Sequence, residues 1–262
     1  MTPAGGLDGM FLDAQRRPRL VRSAVLFMDL LGVKEMNRSR TVAQHLIDLE
    51  RAVTGAYRNY LSPFSPWPSA LFSDTLVLAA PLIGDREESA EVTLLARQAA
   101  ILQMSLARAG FFARGGLSIG RFHLREGLVF GPALVEAYEL ESQVATHPRI
   151  VLSREAEECL RSAPAGPAAT GPLLIADGDG WTFVNYLGQQ IAEDTEDPQK
   201  PLGTHRDRLV SSLTAHRNVK RVWEKYRWVA EYHNEVLGRM LPAEHGLLIP
   251  AEPMTWGFSP FA

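Results

Sequence analysis

The 262-residue sequence has one cysteine, no long apolar run and no surplus of basic charge. A lone Cys159 excludes an internal disulfide and suits a reducing compartment. Its bland role, a small apolar residue on a helix, is the expectation. No segment approaches the ~20 apolar residues that span a bilayer. The opening stretch MTPAGGLDGMFLDAQRRPRL lacks the basic-then-apolar order of a secretory signal and reads as a flexible lead-in. A cytoplasmic protein without membrane attachment is therefore expected. Lys and Arg number 27 against 30 Asp and Glu, so no global positive field argues for nucleic acid. Internal repeats are absent, and His123 and His147 share no metal-ligand spacing with each other or with Cys159.

What is there is an ordinary globular composition, 46% hydrophobic and 22% charged, long enough for one large domain or a domain with an appendage. Residues 23–31, closed by Gly32, predict a buried strand. Val42, Leu46, Leu49, Val53 and Tyr57 recur at helical spacing between Thr41 and Tyr60, until SPFSPWP breaks the helix. SALFSDTLVLAAP predicts strands over 69–72 and 75–80, hinged at Ser73-Asp74. A second helix is predicted from Asp85 to Ala109. FFARGGLSIGRFHLREGLVFG predicts two more strands, and PALVEAYELESQVA a helix opened by Pro132. This order is the α+β pattern of a ferredoxin-like or palm domain, an antiparallel sheet covered by helices. Beyond it, RIVLS and WTFVNYL predict strands, REAEECLRS a short helix, APAGPAATGP a loop and DTEDPQKPLGT a linker. Residues 205–240 predict one long C-terminal helix with Val210, Leu213, Val219, Trp223, Tyr226, Ala230 and His233 on one stripe.

The run AVLFMDLLG, residues 24–32, carries a single carboxylate, Asp29. An isolated ionised carboxylate in a low-dielectric site is strongly disfavoured, so its charge needs a partner. Asp74, in LFSDTLVLAA, is another aspartate that interrupts apolar sequence. If the two strands are neighbours in a palm-like sheet, the carboxylates meet and repel unless a cation lies between them. Hard divalent ions take oxygen ligands, and Mg²⁺ or Mn²⁺ keeps positions open for phosphate. Two aspartates beside the amide-rich turn from Leu30 to Val33 suit a nucleoside triphosphate held through two metals. Taken alone, Asp74 also fits a turn role and Asp29 a strand-end cap.

With these residues in place the sequence resembles the class III nucleotidyl cyclases. VLFMDLLGVKEM is similar to their first strand and phosphate-binding turn, and LFSDTLVLAA to their metal hairpin. ARGGLSIGRFHLREGLVFGPALVEAYELES is similar to the next two strands and helix, so the resemblance covers roughly residues 20–152. It implies a lead-in over 1–20, a catalytic domain over 21–190, and a linker with a helical extension over 191–262. Ordinary members carry an Asn and an Arg where Val135 and Glu139 stand here. Their purine readers correspond to Pro68 or Ala70, and to Leu128. The Ser73-Asp74-Thr75 hairpin, ARGG, FGPALVEAYELE and WEKYRWVAEYHN together resemble the Pycsar-type pyrimidine cyclases, a bacterial antiphage group making cyclic UMP or cyclic CMP.

That resemblance implies Asp29 and Asp74 as ligands of two Mn²⁺ or Mg²⁺ ions, with the Leu30 carbonyl as a further ligand. Amides of Leu31, Gly32 and Val33 would hold the phosphates, with Phe27 and Ser73 beside the nucleotide. Arg114 is the first choice for the missing transition-state cation and Lys34 the second; Tyr57 would meet the base. The ribose 3′-hydroxyl of UTP, or of CTP, would attack the α-phosphorus and expel pyrophosphate. A homodimer and a downstream effector that senses the product complete the expectation. A nucleotide-binding module without activity, and an RNA-binding ferredoxin-like domain, compete with it. HRNVKRVWEKYRW interleaves aromatics and cations as RNA binders do, but its apolar stripe fits a helix packed on a partner better.

Overall fold

Strand β1 (Val21–Leu30) is the axis of a mixed sheet. The computed structural model describes residues 9–56, 69–83, 87–163, 172–193, 199–242 and 246–251. Antiparallel neighbours flank β1, with β3 (Thr75–Pro81) on one side and β4 (Ala113–Arg125) on the other. Successive side chains point to opposite faces. Ala24, Leu26, Met28 and Leu30 join a core under helix α3 (Glu88–Ala109), whose Val92, Leu95, Ala99 and Leu102 are buried. Val21 and Val25, with Phe27 at the margin, face the other way and pack with Phe11, Phe122, Ala133 and Ala137. Coverage of both faces is why β1 reads as a nearly unbroken apolar run.

The remaining strands are β2 (Ser69–Phe72), β5 (Leu128–Phe130), β6 (Ile150–Leu152), β7 (Leu174–Ala176) and β8 (Thr182–Val184). Their order is β2-β3-β1-β4-β6-β8-β7, with β5 paired to β4. All pairings are antiparallel except β4 with β6. Helices α1 (Val33–Asn37) and α2 (Val42–Ala56) link β1 to β2, which gives the β-α-β-β-α-β order of a ferredoxin-like core. The architecture is thus the expected α+β class with a long C-terminal helix.

Helix α4 (Pro132–Glu139) crosses the outer face of β1 and β4 and continues as a π turn, Leu140–Val144. ARGG explains how closely it lies. A Cβ on Gly116 would stand 2.2 Å from the Ala137 carbonyl of α4. Only glycine allows that approach.

Three expectations change after residue 180. The strand in WTFVNYL stops at Val184, and Tyr186 opens α6 (Tyr186–Glu193). Asn185 makes the switch, its Oδ1 accepting the Gly188 N–H at 3.0 Å as an N-cap does. The second half of DTEDPQKPLGT is already helix α7 (Gln199–Ala215), with Pro201 in the first turn, where no intrahelical acceptor is lost. The helix expected over 205–240 is two helices, α7 and α8 (Lys220–Met240), which turn back on each other at residues 216–219. Folding back lets both apolar stripes reach the core, where Leu209 and Leu213 meet Trp223, Tyr226 and Val229. REAEECLRS forms α5 (Arg154–Arg161), capped by Ser153.

A buried polar chain ties these helices together. His205 and His233 are both 0% exposed and stack at 5.1 Å. Contacts run from Tyr186 Oη to His205 Nε2 (2.8 Å), His205 Nδ1 to His233 Nδ1 (3.1 Å), and His233 Nε2 to the Leu247 carbonyl (3.0 Å). Two neutral rings satisfy every link: His233 donates to Leu247, His205 donates to His233, and Tyr186 donates to His205.

Candidate active site

The site is built where β1 ends. Asp29 pairs in register with Thr75 on one side and Arg114 on the other. Asp74 occupies the hairpin tip, and its carbonyl accepts the Leu30 N–H at 2.9 Å. That bond stitches the tip of one aspartate's hairpin to the strand of the other. Ser73 is held at φ 57°, a left-handed backbone that disfavours a residue with a Cβ. The hairpin accepts this strain of about 1–2 kcal/mol in order to turn at Asp74.

Arg114 is held from two sides. Its Nε lies 3.6 Å from Asp29 Oδ2 and 2.6 Å from Glu141 Oε1. The latter contact lacks the N–H alignment of a hydrogen bond, so it is ionic in character. Glu141 is 3% exposed. Its placement follows from register. Stepping two residues along β4 and four along α4 aligns Ser118 with Ala133, where Ser118 Oγ donates to the carbonyl at 2.6 Å, then Gly116 with Ala137. The next step aligns Arg114 with Glu141.

The charges respond to their burial. Desolvation raises the Asp29 carboxyl above the usual carboxylate range, Asp74 pushes it further, and Arg114 opposes both. Desolvation also raises Glu141, against the pull of Arg114. Lys225 of α8 is lowered by burial first, then by Arg114 and Arg221, while Asp29 and Glu141 favour its charge. These mutual effects place Asp29, Asp74, Arg114, Glu141 and Lys225 within one electrostatic neighbourhood.

The other expected residues distribute around this centre. Phe27 meets Tyr138 edge-on at 5.5 Å, two residues before Asp29 on the same face. Gly32 takes φ 81°, and Met36 N–H donates to its carbonyl at 3.0 Å. The Leu31 amide, expected on phosphate, instead donates to the Phe112 carbonyl at 2.8 Å. Gly32 and Val33 open α1, where N–H groups have no intrahelical acceptor. Lys34 lies on α1, while Tyr57 and Pro68 lie outside the described residues. Sequence reading missed Glu141 and Lys225. The pairing of Gly116 with Ala137 that brings Glu141 opposite Arg114 is visible only in the folded chain.

Divalent metal is implied by the resemblance, and the donor set fits it. Asp29, Asp74 and the Leu30 carbonyl are hard oxygen donors, and burial first, then Asp74, raises the Asp29 carboxyl, which a bound cation would offset. Among the described residues no group of three His, Cys, Asp or Glu closes into a metal cage, and two carboxylates with a carbonyl leave positions for substrate oxygens. Clefts elsewhere, such as that of about 280 Å³ between α3 and α6, hold none of these residues.

No family model and no curated protein matches the sequence. Solved structures of similar shape include the adenylyl cyclase CyaB from P. aeruginosa, at TM-score 0.47 and 10% identity over 63% of this chain and 94% of that one. A class III adenylyl cyclase-like ATP-binding protein from Pseudomonas aeruginosa has TM-score 0.45 and 16% identity over 81% of this chain and 44% of that one. The guanylate cyclase domain from Catenaria anguillulae in complex with GTP has TM-score 0.45 and 12% identity, over 64% and 96%. No helix among the described residues is long and apolar enough to cross a membrane.

Proposed function

We propose that the chain is a nucleotidyl cyclase of the Pycsar type, converting UTP, and secondarily CTP, to the 3′,5′-cyclic nucleotide and pyrophosphate. The observation that carries this reading is the stitch between Leu30 and Asp74, which sets the two aspartates together beside Arg114. Bound Mn²⁺ or Mg²⁺ supplies charge neutralisation and a lowered pKa for the attacking hydroxyl. Asp29 and Asp74 hold those ions with the Leu30 carbonyl. Amides of Gly32 and Val33 orient the phosphates, with Lys34 and Ser73 alongside. Phe27 borders the sugar, and Tyr57 meets the base. Arg114 takes up charge developing on the α-phosphate as pyrophosphate departs.

Residues 21–190 form the catalytic unit in this reading, and residues 191–262 pack on it. A homodimer completes the site. Support for it comes from exposed apolar side chains, among them Leu128 and Phe130 on β5 and Val135 and Tyr138 on α4. The product would be a cytoplasmic second messenger read by an effector in antiphage defence.

One observation favours a nucleotide-binding module without turnover. Arg114 is engaged by Glu141, and Val135 and Glu139 stand where a polar pair would otherwise act. Incubating the protein with each NTP and Mn²⁺, then identifying products by mass spectrometry, separates the two. Cyclic UMP or cyclic CMP supports the cyclase; binding without product supports the module.

A further inference from the structure

We infer that Lys225 of the C-terminal helix is a substrate-binding residue, whose ammonium meets the phosphate chain beside Arg114. This inference rests on the nucleotide reading of the site. The close ion pairs of α8 are i,i+4 pairs on its solvent side: Lys220–Glu224 at 3.8 Å, Arg227–Glu231 at 2.8 Å and Arg239–Glu235 at 2.6 Å. Lys225 belongs to none of them and is half-buried. It lies on a different stripe, Arg221, Lys225, Trp228 and Tyr232, at the spacing of one helix face.

Anchors on either side locate that stripe. Tyr226 meets Phe112 edge-on at 5.3 Å. Phe112 lies two residues before Arg114, and its carbonyl holds the Leu31 amide. Trp228 stacks flat on His147 at 5.3 Å, just past the π turn that carries Glu141. Lys225 lies just before these two anchors along α8, which Tyr226 seats on Phe112 and Trp228 on His147. The opposing effects of Asp29, Glu141, Arg114 and Arg221 on its charge agree with that position. Lys225 is in none of these ion pairs of α8, and the carboxylates that favour its charge are opposed by Arg114 and Arg221. A polyphosphate supplies what it lacks.

The test is equilibrium binding with Mn²⁺, using UTP, inorganic tripolyphosphate and uridine as probes, on the wild type, Lys225→Met and Lys225→Arg. Lys225→Met should weaken UTP and tripolyphosphate by roughly 10- to 100-fold, the size of one charge-assisted hydrogen bond, and leave uridine unchanged. Lys225→Arg should restore most of the loss, since it keeps the charge. A thermal melt of Lys225→Met near that of the wild type shows that the fold is intact. Undiminished UTP and tripolyphosphate binding by Lys225→Met overturns the inference, whatever the wild type turns over. Lys225-dependent binding without cyclic product overturns the cyclase and leaves the inference standing. A wild type that binds neither probe overturns both.

Discussion

Arg114 and Glu141 face each other at 2.6 Å, the last step of a register that first pairs Ser118 with Ala133 and Gly116 with Ala137. In the proposed cyclase, Glu141 would act through Arg114, as a positioning residue. Glu141→Gln should lower kcat by up to about 10²-fold, the scale of a misplaced catalytic group, with little change in KM for UTP. Glu141→Asp should recover part of the loss. Steady-state kinetics with Mn²⁺ check this; a KM effect without a kcat effect contradicts it.

Asp29→Asn and Asp74→Asn should each reduce cyclic-nucleotide formation to background while the protein stays folded. Burial and Asp74 hold the Asp29 carboxyl above its ordinary value of 3.8, so its charge is a penalty of the folded state. That penalty is present at neutral pH and vanishes as pH falls below the ordinary value, where folded and unfolded forms are both protonated. Calorimetry should show Asp29→Asn at or above wild-type Tm at pH 7, with the gap closing toward pH 3.8. Turnover at the wild-type rate in either variant would remove the aspartates from the mechanism.

UTP should be turned over ahead of CTP, and both well ahead of ATP and GTP. The resemblance aligns the family's purine readers with Pro68 or Ala70, and with Leu128, none of which offers a side-chain hydrogen bond. A site that hydrogen-bonds its substrate rejects an analogue lacking those partners by roughly 10⁴-fold, whereas an apolar pocket sorts mainly by size. A competition assay with equal kcat/KM for ATP would return the chain to purine chemistry.

The stacked His205–His233 pair should make the fold acid-labile. Burial, then His233, depresses His205 well below its ordinary value of 6.5. The unfolded chain therefore binds more protons than the folded one below that pH, and stability falls as pH drops through it. Tm should decline from pH 7 to pH 5 in the wild type and less steeply in His205→Gln. A flat wild-type profile refutes the assignment.

Val135→Glu and Phe130→Glu add charge at exposed apolar side chains of α4 and β5, where folding is not at stake. Sedimentation should show the wild type as a dimer at micromolar concentration and both variants shifted to monomer, with activity lost in parallel. A fully active monomeric wild type would refute the shared site.

Local periodicity was sufficient for the elements that carry the aspartates. An apolar run bounded by Ser23 and Gly32 could be little but a buried strand, and Ser73-Asp74 between two apolar segments could be little but a tight turn. Their adjacency followed from strand order, because consecutive antiparallel strands with short connections pair. The break between α7 and α8 left only a change of phase: at roughly 100° per residue, Leu202, Leu209 and Leu213 lie on a different side of a continuous helix from Trp223, Tyr226 and Val229, so one unbroken stripe does not run through residues 216–219. Only the need to bury both stripes against one core folds the chain back there.

By itself, then, the sequence determined the α+β class, the strand bearing Asp29 and the hairpin bearing Asp74, because hydrophobic period and turn chemistry act over a few residues. Tertiary structure alone decided that Glu141 would hold Arg114 and that Lys225 would overlook them. Those partners are 27 and 111 residues from Arg114 in the chain, by 141 − 114 and 225 − 114. Period within one element says which residues share a face; which faces meet is decided only when glycines let α4 close on β4 and aromatic anchors seat α8 over the sheet.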